Sequence, residues 1–398
     1  MPLHNRIWWG APRKFSTSLA ERKISWLELF YDLVYVIVIS RTTQRLVQHP
    51  TFTGLSEYIY LFALIFWGWL NGSQYYDLHG SPGIRTRFMT LWQMIAVAAL
   101  AVALDSPPDK FLFRTTVSIA FLQLFITYLW WSVGIYDKEH RRLNLPYSVC
   151  YLAALGCIVG SLFLPAGFTT LLFWAALVFN FLPPFLTAVR LRDSVGSLTL
   201  SLSMTERLGL MVIIVFGEAI LGVINGMSNI GDIMAGQWVC FGLGILILFC
   251  MWWVFFGLIA DRECRQGLAA GITMSSLYIP AIAALGMTGA SFPLLMKGGG
   301  NAWWPRALYG SGIVVFLLCI ILISGFLKYP QRYLRHKRPM QLMIFAAAVA
   351  ISIMTVIMMP ATALTYLAAC FVALAILVAA STALWAKIEG PYIGEDAV

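Results

Sequence analysis

The chain has 398 residues, of which 60% are hydrophobic and only 11% charged, with a formal net charge of +9. Soluble domains carry about 25% charged residues, so the composition excludes an ordinary globular domain and places the chain in lipid. The positive charge does not point to nucleic acid, because Lys and Arg gather in alternate short connections rather than in one patch.

A spanning helix needs roughly 20 apolar residues, and twelve such segments can be placed. They lie near 26–47, 57–78, 86–104, 113–135, 147–164, 168–190, 203–226, 237–260, 269–288, 303–327, 340–359 and 361–386. Only Met359, Pro360 and Ala361 separate the last two, which could also form one long kinked helix. With the N-terminus cytoplasmic, the basic clusters fall at every second connection. They are Arg13, Lys14, Arg22 and Lys23; Arg85 and Arg87; Lys138, Arg141 and Arg142; Arg190 and Arg192; Arg262 and Arg265; and Lys328, Arg332, Arg335, Lys337 and Arg338. The intervening connections hold little beyond Lys110, Lys297 and Arg306, so that 21 of the 27 basic residues face inward. This positive-inside bias predicts an even number of spans and two cytoplasmic termini. Trp26, Trp130, Trp131, Trp238, Trp303, Trp304 and Trp385 fall at helix ends, where amphipathic rings favour the headgroup zone. The first 25 residues are basic and lack the compact apolar core of a cleavable signal peptide. Six of the seven cysteines lie in spans and none is placed for an extracellular disulfide. The five His are scattered and no Cys/His spacing suggests a metal, so no cofactor is expected.

The expected fold is therefore all-α, a polytopic transmembrane helix bundle of about 12 spans. A basic N-terminal tail (1–25) precedes a first half (26–190) and a second half (203–386), and a cytoplasmic tail (387–398) closes the chain. The halves look like repeats. Glu28 and Glu206 each open a span with β-branched residues six, eight and nine positions later, and Trp69 and Trp253 each precede an aspartate, Asp77 or Asp261, by eight. A six-helix period makes such repeats parallel, related by an axis along the membrane normal. In the sixth span, Pro183 and Pro184 cannot donate hydrogen bonds and clash with the carbonyls of Phe179 and Asn180. Those carbonyls need partners inside the membrane, through either a broken helix lining a cavity or a kink satisfied by neighbours. Gly156, Gly160, Gly242 and Gly244 are read as close helix contacts.

Ionisable groups within spans mark candidate functional positions, because they cost several kcal/mol there unless paired or facing a wet cavity. Glu28, Asp32 and Tyr35 share one helix face by their i, i+4, i+7 spacing. The two carboxylates repel and require a cation, a base such as Arg207, or a shared proton. In the seventh span Arg207, Met211, Ile214, Glu218 and Asn225 share a face. Arg207 and Glu218 are about 16 Å apart at ~1.5 Å per residue, so each needs another partner. The second span adds Trp67, Asn71, Gln74 and Tyr75. These stripes are read as walls of a polar cavity, with Asp32, Glu218, Glu28, Glu206, Arg207, Asn71, Gln74 and Tyr35 as candidates for a proton or substrate pathway. Asp77, Arg85 and Arg87 are read as a clamp on helices two and three at the cytoplasmic side, a gate candidate. Glu28 and Glu206 could instead simply meet a helix dipole at the membrane edge.

The stretch Trp26-Leu-Glu-Leu-Phe-Tyr-Asp-Leu-Val-Tyr-Val resembles the E-L-F-F-D-L-V-F-V opening of the bacterial low temperature requirement A family. Residues 205–222, TERLGLMVIIVFGEAILG, resemble its second signature, and residues 71–79 with Arg85 and Arg87 look like its second helix and loop. The resemblance implies a polytopic bacterial inner-membrane protein linked to growth in the cold, with recurring charges at Glu28, Asp32, Asp77, Arg85, Arg87, Glu206, Arg207 and Glu218. Tyr31 and Tyr35 stand where Phe is common. Residues 29–39 are also similar to the F-S-D-G-V-F-A-I-A-I opening of potassium-permeable channels built from six-helix repeats, although Tyr31 and Leu33 replace the Ser and Gly.

The leading expectation is a secondary transporter, with or without proton coupling, for a small solute, using Glu218 and Asp32 as protonatable groups. A cation-permeable channel and a non-transporting membrane component are the alternatives. An enzyme is not expected, since a Ser-His constellation and long loops are missing, and no P-loop is present for ATP. The expected partners are membrane lipids and a small solute or ion, not nucleic acid; a homo-oligomer is compatible with the sequence.

Overall fold

Long apolar segments in a solvent without hydrogen-bonding capacity must satisfy their backbone internally, and helices do so. A computed structural model describes residues 12–13, 23–81, 83–138, 141–190, 200–228, 234–260, 262–297, 303–358 and 361–389. Among these residues are twelve helices: α1 (Trp26–Gln48), α2 (Phe52–His79), α3 (Ile84–Leu104), α4 (Pro108–Tyr136), α5 (Arg141–Gly160), α6 (Ala166–Arg190), α7 (Leu202–Ser228), α8 (Ala235–Ile259), α9 (Leu268–Lys297), α10 (Trp303–Ser324), α11 (Gln331–Ile357) and α12 (Ala363–Glu389). Nine are long and apolar enough to cross a membrane. α1, which carries Glu28, Asp32, Arg41 and Arg45, falls outside that set, as do α2 and the described apolar part of α5, Asn144–Gly160.

The chain forms two compact units. The first holds Met1–Arg45, Ser56–Leu208 and Gln266–Thr273; the second holds Leu46–Leu55, Gly209–Arg265 and Met274–Val398. The boundary thus falls inside α1, α2, α7 and α9. In the first unit α3 packs on α4, α4 on α5 and α5 on α6. α1 turns Phe30, Leu33 and Ile37 outward and buries Tyr31, Asp32, Tyr35, Val38 and Ile39. In the second unit α8 packs against α10 and α12, and α11 packs against both α10 and α12.

The last two spans are separate helices. Arg306 of α10 is buried and donates to the carbonyls of Met358 (2.9 Å) and Ala361, so the C-cap of α11 and the connection after it find a cation. At the other end of the second unit, Cys264 and Leu327 form an isolated antiparallel bridge, and Lys328 Nζ lies 2.9 Å from Glu263. Burial pushes the Cys264 thiol up from its ordinary range. Asp261, one partner in the repeat correspondence, lies outside the described residues.

Two sequence readings are corrected. Trp130 is not an interfacial anchor: it is buried, stacked on Tyr147 at 4.3 Å and edge-on to Tyr75 and His79. A Cβ at Gly156 or Gly242 would meet nothing within 4 Å, and at Gly160 only Leu172 at 3.9 Å. Of the four glycines read as contacts, Gly244 alone is tight, 2.7 Å from Phe292. A backbone-to-backbone crossing lies elsewhere. A Cβ on Gly222 of α7 would sit 2.5 Å from the Gly289 carbonyl oxygen of α9, and one on Gly289 would overlap the Ala219 backbone. A glycine signals packing only if a neighbouring backbone occupies its missing side chain's place.

Gly222→Ala and Gly289→Ala should therefore each lower stability by about 1–3 kcal/mol through overpacking. Gly156→Ala and Gly242→Ala should be neutral or stabilising by up to about 1 kcal/mol. Thermal unfolding of the four variants in detergent checks this, and equal shifts for both pairs would refute the assigned crossing.

Candidate functional site

α1 begins with a reciprocal cap. Ser25 N donates to Glu28 Oε2 at 2.9 Å, and Glu28 N to Ser25 Oγ at 3.4 Å, satisfying two otherwise orphaned donors. The other Glu28 oxygen is thereby aimed at α7, where Arg207 Nη1 donates to it at 3.3 Å. One turn on, Asp32 accepts from the same guanidinium twice, from Nη2 at 2.5 Å and Nε at 3.3 Å. Trp69 Nε1 of α2 donates to Asp32 Oδ1 at 2.7 Å. Asp32 is 0%, Arg207 1% and Glu28 2% exposed. The rings of Tyr31 and Trp69 stand 5.9 and 5.7 Å from the guanidinium carbon, adding weak cation–π attraction. A fork of two parallel N–H donors holds carboxylate orientation as well as charge, so this cluster fixes the register of α1 against the start of α7.

Above it lies a hydroxyl and amide chain. The Tyr31 hydroxyl is 3.1 Å from Gln93 Oε1 and 3.2 Å from the Tyr35 hydroxyl. Glycines on α2 make room: a Cβ on Gly68 would be 3.2 Å from the Tyr35 oxygen, and one on Gly72 would overlap the Tyr31 hydroxyl. Glu28, Tyr31, Gln93 and Arg207 line a cavity of about 20 Å³, room for about one water molecule.

A second buried network occupies the other side of α2. Residues 71 and 72 point about 100° apart on a helix of 3.6 residues per turn, so Asn71 faces away from α1. Its amide donates to the Trp67 carbonyl at 3.0 Å and its oxygen accepts from the Tyr151 hydroxyl. Trp67 Nε1 donates to the Asn180 carbonyl at 2.7 Å. That is the carbonyl stranded by Pro184, and α6 runs unbroken through both prolines. An unbroken helix whose Asn180 carbonyl is satisfied by a neighbour is thus the arrangement adopted, rather than a broken one. The Asn180 and Gln123 side-chain amides pair reciprocally at 3.0 and 3.1 Å.

The profile of the bacterial low temperature requirement A protein (LtrA) family matches residues 23–380. The chain belongs to the LtrA family. No curated protein matches it. The LtrA match runs from the residues before α1 into α12, and so takes in Ser25, Glu28, Asp32 and Arg207 together.

The structure of this LtrA protein brings together only part of the predicted site. Glu28, Asp32 and Arg207 converge, with Tyr35 reached through Tyr31. Asn71 belongs to the separate Tyr151 network, and Gln74 is half-buried. Glu206 is exposed, one position off the buried face that carries Arg207. Glu218 lies in the second unit, half-buried beside Ala219 and Gly222 where α7 crosses α9, and Asn225 is exposed. The face of α7 therefore passes from buried to exposed along its length. The clamp also differs from expectation. Asp77 accepts from Ser201 (2.6 Å) and Ser203 (2.7 Å) at the start of α7, an end that favours negative charge. Arg13 wraps the end of α2 through the carbonyls of Asp77 and Leu78. Arg85 donates to Ser132 of α4 at 2.6 Å, and Arg87 is exposed. Sequence reasoning missed Trp69 as a ligand of Asp32, and also Gln93, Gln123 and Tyr151. Their signal was a polar atom in mid-span, which must find a partner. Among the described residues no three His, Cys, Asp or Glu side chains gather as a metal site.

Trp67→Phe should cost about 1–3 kcal/mol by leaving the Asn180 carbonyl unpaired. In a Pro184→Ala background the restored backbone N–H serves that carbonyl, and the penalty should shrink. A double-mutant cycle by thermal unfolding reads the coupling; strict additivity would disprove the compensation. Arg207→Met should be more severe, about 3–5 kcal/mol, because it strands buried carboxylates, and Asp32→Asn in the same chain should recover part of that loss.

Proposed function

We infer that this LtrA protein is a proton-coupled secondary transporter of a small solute in the bacterial cytoplasmic membrane, with both termini cytoplasmic. The observation that carries the reading is the Asp32–Arg207 pair, a bidentate ion pair with both partners almost wholly buried. Burial makes such a pair bistable. Intact, it neutralises both charges; protonation of Asp32 removes the attraction and leaves Arg207 to find another anion. Because the pair joins α1 to α7, a proton on Asp32 loosens that joint and leaves Glu28 as the carboxylate that still holds Arg207. Glu28 remains close to Arg207, and the adjoining cavity supplies a place for a proton-carrying water. Glu218 lies further along α7, in the half of that helix that packs on α9, and is the second protonatable group on the same element.

This scheme needs a group whose charge change moves a helix, and buried ionisable residues in membranes serve such relays. The charge distribution of the loops supports the orientation. The channel alternative draws on the similarity of α1 to pore-opening helices, and the packing of Tyr31 and Tyr35 against α2 offers it no obvious conduit.

The test is solute flux into proteoliposomes with and without an imposed pH gradient, over a panel of amino acids, sugars and inorganic ions. Asp32→Asn and Glu218→Gln, which mimic protonated acids without titrating, should each insert and fold yet lose pH-driven uptake to the level of empty liposomes. Uptake with unchanged pH dependence in both variants would overturn the coupling role. A non-saturating ion current would replace the transporter reading with the channel.

A further inference from the structure

The second unit carries a surface feature that the Asp32–Arg207 cluster does not explain. The end of α8, the start of α11 and the end of α12 enclose a groove of about 460 Å³, within the ~300–1,000 Å³ usual for small-molecule sites. Its walls are Trp252, Phe256, Met340, Ile344 and Trp385. Trp252 and Trp385 remain 37% and 46% exposed. Gly257 lies on the groove, and a Cβ there would meet nothing within 4 Å.

The groove continues into a second, basic pocket. The two share Gly257, Leu258, Met340 and Trp385, and the second adds Arg262, His336 and Lys337. Arg262 is held by its Nε bond to the Leu258 carbonyl (3.1 Å), and its guanidinium lies 4.5 Å from the Tyr329 ring. Lys337 Nζ approaches the same ring at 4.6 Å, and the Tyr329 hydroxyl is anchored on the Leu258 carbonyl at 2.9 Å. One ring thus positions two cations that repel each other. No carboxylate is among the residues described as lining either pocket.

We propose that this groove binds an anionic phospholipid, with its phosphate between Arg262 and Lys337 and one acyl chain along Trp252, Phe256 and Trp385. Charge complementarity selects the headgroup: an anion relieves the repulsion between the cations. Continuity selects a lipid over a soluble anion, because the basic pocket opens directly into an apolar trough on a chain that lives in lipid. Basic pockets between membrane helices are suited to such headgroups. The site lies in the leaflet holding the α8–α9 and α10–α11 connections, and it is independent of the transport reading.

Native mass spectrometry of the full chain in detergent, titrated with phosphatidylglycerol or phosphatidylcholine of matched chains, tests the proposal. Wild type should retain phosphatidylglycerol in clear preference. Arg262→Gln with Lys337→Gln should erase the preference, and Gly257→Leu, which fills open space in the trough, should reduce retention while leaving the basic pocket intact. Glycerol 3-phosphate should not displace the bound lipid. Equal retention of the two lipids by wild type, or an unchanged preference in the double variant, would overturn the site. Efficient displacement by glycerol 3-phosphate would replace it with a soluble-anion site. If the double variant fails to fold, Gly257→Leu decides alone, and undiminished retention in that variant refutes the acyl-chain placement.

Discussion

A guanidinium buried in an apolar bundle organises the first unit. Arg207 cannot lose its proton in a protein, so a charge at this depth demands carboxylates close by and correctly oriented. Asp32 meets the guanidinium with both oxygens, and Glu28 meets it one turn earlier. The surrounding residues serve that geometry. Ser25 holds Glu28 through the helix cap, Trp69 holds Asp32 through its indole, and the small residues of α2 let the tyrosines of α1 approach. The local choice of residues on three helices therefore follows from a single charge.

The same demand recurs wherever the backbone is interrupted. Pro184 frees the Asn180 carbonyl, and Trp67 answers it from α2. α11 ends at Ile357, and Arg306 of α10 answers the carbonyls of Met358 and Ala361 just beyond it. α2 ends at His79, where Arg13 reaches the carbonyls of Asp77 and Leu78. In each case a long side chain with an N–H donor takes up a carbonyl that the helix leaves unsatisfied, in mid-span at Asn180 and at the helix ends beside Arg306 and Arg13. Arginine and tryptophan suit this task because their donors sit at the end of an apolar stem or ring. Arg306 reads in the sequence as a sparse charge of an outward connection, whereas its position makes it the terminator of a helix.

Contacts between apolar surfaces follow a different logic. Where α7 meets α9, Ala219, Gly222 and Gly289 bring backbones together, and no larger residue fits. Dispersion and close fit hold helices together in lipid, since lipid tails are as apolar as leucine. Around Gly257 the opposite holds. The same residue type leaves a trough between α8, α11 and α12 instead of a contact, and the bordering tryptophans stay half-exposed. Shape, not composition, separates a helix interface from a surface open to lipid.

The sequence by itself determined the class of structure. Its length of apolar runs, its low charge and its loop arginines specify a helical membrane protein, and the Glu, Asp and Arg positions of α1 and α7 mark where charge must be compensated. These are one-dimensional properties: a span needs a set number of apolar residues, and a carboxylate within one needs a partner wherever it lies. Which partner it receives depends on the rotation of each helix about its axis. A shift of one residue turns a side chain by about 100°, enough to send Asn71 to Tyr151 while Gly72 faces Tyr31, and to expose Glu206 beside buried Arg207. Only the packed helices decided those rotations, and with them the union of Asp32, Arg207 and Trp69, the half-burial of Glu218, and the groove beside Trp252. The rotations are set by side chains meeting across helices far apart in sequence, where the separation of Asp32 from Arg207 along the chain carries no trace of the 2.5 Å between them.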